Sequence, residues 1–347
     1  MVINVIKLNN MTIDELKEYI ESIGEKKFHA VQIFKWIHRF NVTDINEFSD
    51  ISKSLREKLK ENTCIPVLKV EKVLESKKDE TKKFLIRLHD DNFIECVFMK
   101  YHHGNTLCVS TQVGCKMGCK FCASTKDKFK RSLEAFEIEG QIQCVSKYLN
   151  EKISNVVYMG IGEPLDNYDN VIKSIKLIND PNGLLIGTRH ISLSTCGLVP
   201  NILKLANEQI PCTLSISLHA TTDEKRKEIM PIANKYSVAE LIDACRQYLK
   251  ITKRRISFEY ALIHGVNDTK EEAMKLAKLL RGMNAHVNLI PVNEIKAASY
   301  KKSKEENIKK FMDTLNSSSV ITTVRRELGS DIEAACGQLR QNYMEEK

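Results

Sequence analysis

Three cysteines crowd one short segment, Gly114-Cys-Lys-Met-Gly-Cys-Lys-Phe-Cys122, so that Cys115, Cys119 and Cys122 are separated by three and then two residues. Thiolates at that density bind soft metal centres. A structural zinc site normally closes its tetrahedron with four protein ligands, and here there are three. A cubane iron–sulfur cluster held by three cysteines leaves one iron open. Gly114 and Gly118 favour a loop, which argues against three cysteines buried on one helix face. The chain has 11 cysteines in 347 residues. An odd number cannot all pair within the chain, so metal or redox chemistry is the first expectation.

An open iron can chelate the amino and carboxylate groups of S-adenosylmethionine (SAM) and pass one electron into its sulfonium, releasing a 5′-deoxyadenosyl radical. The cysteine spacing, with Phe121 just before the last thiol, resembles the signature of the radical SAM superfamily. After the next expected strand comes Met159-Gly-Ile-Gly-Glu-Pro164. Backbone near Gly162 and the Glu163 carboxylate suit an ammonium group. A Gly-Gly-Glu-like motif of radical SAM proteins grips the methionine amine at this place. Further strand ends carry Ser194, then Ser217-Leu218-His219, then Asn293. Their hydroxyl and amide groups suit ribose and adenine edges.

Two more thiols narrow the resemblance. Cys108, seven residues before Cys115, and Cys336 in Ala-Ala-Cys-Gly-Gln-Leu-Arg are similar to the RlmN/Cfr family of RNA adenine methyltransferases, as are Gly-Glu-Pro-Leu-Asp-Asn from Gly162, Ser-Leu-His from Ser217, and Glu95 in Ile-Glu-Cys-Val. The resemblance covers nearly the whole chain. It implies a [4Fe-4S] cluster on Cys115, Cys119 and Cys122, and two SAM per turnover. The first would methylate Cys336. The second would yield the radical that takes hydrogen from that methyl, and the resulting methylene radical would add to an electron-poor adenine carbon. Glu95 is the family's proton acceptor. Attack by Cys108 would release the product and leave a Cys108–Cys336 disulfide. Pro164 and Arg325-Arg-Glu-Leu-Gly favour carbon 2 of adenine over the Cfr-like carbon 8. A non-enzymatic, metal-stapled RNA-binding protein is the competing reading from another class. The other cysteines (Cys64, Cys96, Cys144, Cys196, Cys212 and Cys245) are expected to be packing residues.

These residues need elements to hold them. Residues 1–65 read as a helical accessory domain: Thr12 with Glu15 forms a capping-box pattern, and Val31, Phe34, Ile37 and Phe40 form an apolar stripe. From Val67 the period changes to two, which predicts a short antiparallel β bridge over residues 66–100. Strands and helices then alternate about six times, which calls for a parallel sheet. The expected fold is α/β, a partial (β/α)6 radical SAM barrel over 101–318, with 319–347 supplying a strand and the loop that carries Cys336. In such barrels chemistry sits at the carboxyl ends of the strands.

Charge bears on partners. Net charge is +8, with 28% charged and 42% hydrophobic residues, and the longest apolar runs are far too short for a bilayer span. Met1 to Asn10 lacks a basic segment followed by an apolar stretch, so no secretory signal and a cytoplasmic location are expected. Lys116, Lys120, Lys126, Lys128, Lys130 and Arg131, opposed by Asp127 alone, predict a basic rim for a polyanion. Arg325, Arg326 and Arg340 bracket Cys336. The resemblance implies 23S rRNA and tRNA as substrates and an external one-electron donor such as flavodoxin or ferredoxin. A monomer is expected.

Overall fold

The structure, a computed structural model, describes residues 5–125, 128–291 and 300–332. At the N-terminus, α1 (Ile13–Ser22) starts on the expected capping box: the Thr12 N–H donates to Glu15 Oε2 at 2.7 Å and the Glu15 N–H to Thr12 Oγ1. Such a cap contributes about 1 kcal/mol. α2 (Phe28–Phe34) widens into a π turn over Lys35–Arg39, and α3 (Lys53–Asn62) follows. Phe34 and Ile37 are buried as the stripe requires, but Phe40 lies beyond the last helical residue and is 55% exposed. Strands β1 (Ile6–Lys7) and β2 (Thr63–Cys64) pair in parallel and close the unit. Its core includes Ala135 and Leu177 from the barrel helices, so it is packed onto them. His38 Nδ1 lies 3.0 Å from Glu139, both fully buried, at the centre of this seam.

The antiparallel strands β3 (Lys69–Glu75), β4 (Lys82–Arg87) and β5 (Phe93–Tyr101) bond edge to edge into β6 (Gly104–Cys108), so the bridge is a continuation of the main sheet. A small antiparallel pair, β7 (Gln112–Val113) with β8 (Arg131–Ser132), stands outside it. From β6 onward the main sheet is parallel, through β9 (Asn155–Tyr158), β10 (Ile191–Thr195), β11 (Thr213–Ser217), β12 (Ile256–Leu262), β13 (Ala285–Pro291) and β14 (Ile321–Val324). β14, in the 319–347 segment where a strand is expected, joins the six barrel strands as a seventh parallel strand, at the edge beside β13.

The crossovers are α4 (Ala135–Leu149), α5 (Tyr168–Asn179), α6 (Val199–Asn207), α7 (Asp223–Ile229) with α8 (Val238–Thr252), α9 (Lys270–Leu279) and α10 (Glu305–Ser317). Alternation along each strand splits the sheet into two faces. Ile191, Leu193, Leu214, Ile216, Phe258 and Val287 join the core under the helices. Ser192, Ser194, Ser215, Ser217, Ser257 and Glu259 point the other way, so the inner face is polar. Register rows run across it, Ser194 beside Ser215 beside Ser257, and Ser217 beside Glu259 beside Asn288. Among the described residues no helix is long and apolar enough to cross a membrane.

Candidate active site

The cysteine loop leaves the carboxyl end of β6 and is pinched at its neck. β7 pairs with β8, Gln112 opposite Ser132 and Val113 opposite Arg131, and the Lys130 N–H donates to the Val113 carbonyl at 2.8 Å. Gly114 has φ +79, and a Cβ there would sit 2.4 Å from the Lys128 carbonyl oxygen, so the pinch requires glycine. Thr125 Oγ1 donates to the Cys122 carbonyl at 2.8 Å, and the Lys120 N–H to the Ile229 carbonyl at 3.0 Å. Cys119 is buried and Cys115 and Cys122 are half-buried; Cys119 and Cys122 pack with Met117, Phe121 and Met230. Burial pushes the Cys115 thiol up to about 12 and Cys119 higher still, with the neighbouring thiols adding to each. Such thiols become ligands when a cation replaces their protons.

The segment after β9 braces that loop. Gly162, at φ +107, has room for no side chain: a Cβ would lie 2.6 Å from Gln112 Cβ and 2.8 Å from Thr111 Oγ1. Glu163 is 4% exposed, and its carboxylate accepts the Leu165 N–H at 3.0 Å and the Cys196 N–H at 2.7 Å. Burial raises its pKa, and these bonds oppose the rise. Pro164 opens a short 3-10 turn over Pro164–Asn167. Asp166 pairs with Lys116 at 2.9 Å, and Asn167 Nδ2 donates to the Thr111 and Leu133 carbonyls. The Gly-Glu-Pro-Leu-Asp-Asn run thus ties the second loop to the first.

Further around the rim, Ser194 and Ser217 stand on the inner face at the ends of β10 and β11, while the Leu218 side chain is buried among the helices. His219 follows with φ +56; its Nδ1 accepts the Ala261 N–H at 2.9 Å, and its ring meets Phe121 edge-on at 4.8 Å between centroids. Burial lowers its pKa to about 3, so the ring is neutral with its proton on Nε2. Asn293 and Cys336 lie outside the described residues, as do Lys126 and Arg340.

Cys108 and Glu95 share one cavity of about 160 Å³, lined also by Ser124 of the cysteine loop, Met159, Arg325 and Leu328. Cys108 sits opposite Val97, and Glu95 is two residues along the same strand, so the two are diagonal neighbours on one face. Glu95 is 4% exposed and pairs with the buried ammonium of Lys83 at 2.9 Å. Burial raises the Cys108 thiol to about 11, with Arg325 opposing.

Several partners of this site carry no sequence signal of their own: Lys83, Gln112, Cys196 and the buried Arg226. Cys196, expected as packing, is a wall of the site through its bond to Glu163. The basic rim needs correction. Arg131 is held by Glu137 through both terminal nitrogens at 2.7 and 2.8 Å and by Asp90 at 2.7 Å, and Lys116 is paired with Asp166. Asp90 comes from the β4–β5 turn, far away in sequence. Lys120 and Lys128 stay exposed.

Among the described residues no three His, Cys, Asp or Glu side chains are drawn together in metal-ligating geometry. The donor chemistry nevertheless fits a three-thiolate iron–sulfur cluster: three neighbouring thiols on one loop, facing strand ends. Beside them, the Gly162 cradle and the buried Thr111 hydroxyl, which has no hydrogen-bond partner among the described residues, fit a polar co-ligand.

Residues 109–277 match the Radical SAM superfamily. A solved structure described as a radical SAM methyltransferase from Sphaerobacter thermophilus superposes with a TM-score of 0.90 at 38% identity, covering 96% of this chain and 98% of that one. Fold and site together define a radical SAM enzyme, the class that works with a [4Fe-4S] cluster and SAM. Residues 6–65 match the ribosomal RNA large subunit methyltransferase N-terminal domain. Two relatives named probable dual-specificity RNA methyltransferase RlmN, from Clostridium perfringens and Clostridium novyi, are 55% and 56% identical; they cover 97% and 96% of this chain, which spans 97% and 98% of theirs. The chain therefore belongs to the RlmN family of RNA methyltransferases.

Proposed function

We propose that this protein methylates carbon 2 of adenine in RNA, with both 23S rRNA and tRNA as substrates. The observation that carries the reading is the shared cavity: a thiol, Cys108, and a buried carboxylate, Glu95, face the same space, and the cysteine loop reaches it through Ser124. Ring carbon 2 lies between two nitrogens and does not attack a methyl sulfonium, so plain displacement chemistry would need none of these groups.

Cys115, Cys119 and Cys122 would hold the cluster. Gly162, Glu163, Ser194, Ser217, Leu218, His219 and Asn293 would surround SAM, with Leu218 offering only its backbone. When bound, these groups supply a 5′-deoxyadenosyl radical. The chain supplies the rest. The Glu163 carboxylate fixes the loop and retains lone pairs for an ammonium. The neutral His219 ring has an Nε2 proton to donate. Cys336 would carry the methyl; it stands four positions past Ile332, which packs against Val97 and Met99 as Cys108 does, and four residues reach at most about 14 Å. Glu95 would accept the ring proton, and Cys108 would attack the sulfur of Cys336, the carbon–sulfur electron pair returning to the base with a proton, leaving a disulfide to be reduced afterwards. This route uses two SAM per turnover, one for the methyl and one for the radical. Arg325 and Arg326, on the cavity wall, suit phosphates flanking an unstacked adenine. We further propose a cytoplasmic monomer that draws electrons from a flavodoxin or ferredoxin, with residues 1–65 as an accessory unit.

Anaerobic iron reconstitution, followed by turnover with methyl-labelled SAM and rRNA or tRNA and mass mapping of the product, tests the reading. It expects 2-methyladenosine. Label at carbon 8, or no label in a protein with an intact cluster, overturns it.

A further inference from the structure

Arg226, on α7, is fully buried. Its Nε donates to the Leu218 carbonyl at 3.1 Å, and Nη2 to the Cys196 and Ser217 carbonyls at 2.6 and 3.2 Å. Nη1 has no hydrogen-bond partner among the described residues, and no carboxylate among them forms a salt bridge with the guanidinium. Asp223, one turn back on the same helix, accepts the Val238 N–H at 2.6 Å. Buried charges are normally paired, because carbonyl dipoles satisfy hydrogen bonds without cancelling charge.

The groups that feel this charge are Cys119, Cys196 and Cys245, the neutral ring of His219, and the Asp223 carboxylate, which acts through space without a salt bridge. The same helix lies under the cysteine loop. Ile229 accepts the Lys120 N–H, and Pro231, just past the helix, stands 3.3 Å from where a Cβ of Gly118 would be. A three-thiolate [4Fe-4S]2+ centre carries one net negative charge, and its one-electron reduced form carries two. A fixed cation beside it offsets both and favours the second more, and net charge near a cluster is one of the terms that set its potential.

We propose that Arg226 is a positioning residue that supplies the fixed positive charge facing the iron–sulfur cluster and raises its reduction potential. The inference rests on the reading of Cys115, Cys119 and Cys122 as cluster ligands. It also accounts for an arginine buried against bare carbonyls: the cluster adds to the through-space countercharge of Asp223.

The test is a redox titration, followed by electron paramagnetic resonance, of anaerobically reconstituted full-length protein without SAM or RNA. Arg226→Gln is expected to make the reduced form at least tenfold harder to populate, a potential about 59 mV lower for one electron. Arg226→Lys, which keeps the charge, is expected to stay within threefold of the native value. Cys245→Asp places an acid against the guanidinium from α8 and is expected to lower the potential relative to Cys245→Ser. That pair decides the matter should Arg226→Gln not fold. A purely structural arginine predicts the native potential in every variant that folds, and that result overturns the proposal while leaving the cluster reading intact. A native protein that assembles no cluster overturns both.

Discussion

Lys83 and Glu95 form an ion pair of 2.9 Å across the β4–β5 ladder, with both side chains almost wholly out of water. They are diagonal neighbours, Lys83 standing opposite Val97 and Glu95 opposite Leu85. Glu95 stands on the wall of the cavity that holds Cys108, with Lys83 behind it. Removing one partner of a buried pair costs about 3–5 kcal/mol, because the other charge is stranded, whereas replacing both by apolar groups is often neutral. Lys83→Met is therefore expected to lose stability on that scale in urea unfolding, and Lys83→Met with Glu95→Leu to recover most of it. A double variant as unstable as the single one would show that the ion pair is not the source of the loss.

In the proposed release step Cys108 attacks as a thiolate, yet burial raises its pKa to about 11. At neutral pH it is protonated, so its thiolate fraction grows about tenfold per pH unit up to that value. Product release in single turnover is expected to accelerate with the same slope. Arg325 opposes the shift, so Arg325→Met is expected to slow release by up to about tenfold, and Arg325→Lys to restore it. Cys108→Ala is expected to leave RNA covalently attached to protein on a denaturing gel. Ordinary reversible binding by that variant would remove Cys108 from the release step.

What the sequence disclosed and what it hid divide along contact distance. Cys115, Cys119 and Cys122 sit in one segment, as does Gly162 with Glu163, so their chemistry is readable without a fold. The parallel strands were readable for a similar reason: Ile191-Ser-Leu-Ser-Thr195 alternates within five residues. Arg131 was misread as free because its partner Asp90 comes from a distant turn. Arg226 was missed because its helix, Asp-Glu-Lys-Arg-Lys-Glu-Ile, is charged almost throughout and short, and nothing local says which of its cations turns inward. α10 is charged along one side, while Ile308, Phe311 and Leu315 anchor the other. Lys83 and Glu95 acquire meaning only through the register that brings two strands together.

The corrected rim makes a prediction of its own. Lys128 is exposed, whereas Arg131 is committed to Asp90 and Glu137, and the latter carboxylate is fully buried. Lys128→Glu is expected to weaken RNA binding at low salt and flatten its salt dependence, with the unfolding midpoint unchanged. Arg131→Ala is expected to cost about 1–2 kcal/mol of stability, because the buried Glu137 keeps only the Glu134 N–H and His89 as partners. The reverse pattern, stability lost with Lys128 and kept with Arg131, would refute the assignment.

Gly162 offers a steric test. An alanine there meets Gln112 Cβ and Thr111 Oγ1 below 3 Å, at a φ that side chains avoid. The loop must move, and with it the Glu163 carboxylate that ties Leu165 to Cys196. Gly162→Ala is expected to weaken SAM binding to the anaerobic holoprotein more than tenfold with a smaller loss of iron content, since the three thiols stand on a loop that this segment braces but does not form. Native SAM affinity in that variant would place the ligand elsewhere.

His219 links the site to pH. Its ring is buried and neutral, its Nδ1 is occupied by the Ala261 N–H, and its pKa lies near 3 against 6.5 in an unfolded chain. Above pH 6.5 neither state holds the extra proton, and the full stability is present. As pH falls toward 3, the unfolded chain takes up a proton that the folded one refuses, so stability drops by up to about 1.4 kcal/mol per pH unit and about 2 kcal/mol by pH 5. His219→Gln keeps an acceptor for the Ala261 N–H and has nothing to titrate. Urea midpoints at pH 7.5 and pH 5 are therefore expected to diverge less for this variant than for the native protein, by about that amount. Parallel acid sensitivity in the two proteins would mean that the ring is charged at pH 5, and with it that its Nδ1 no longer accepts from the backbone.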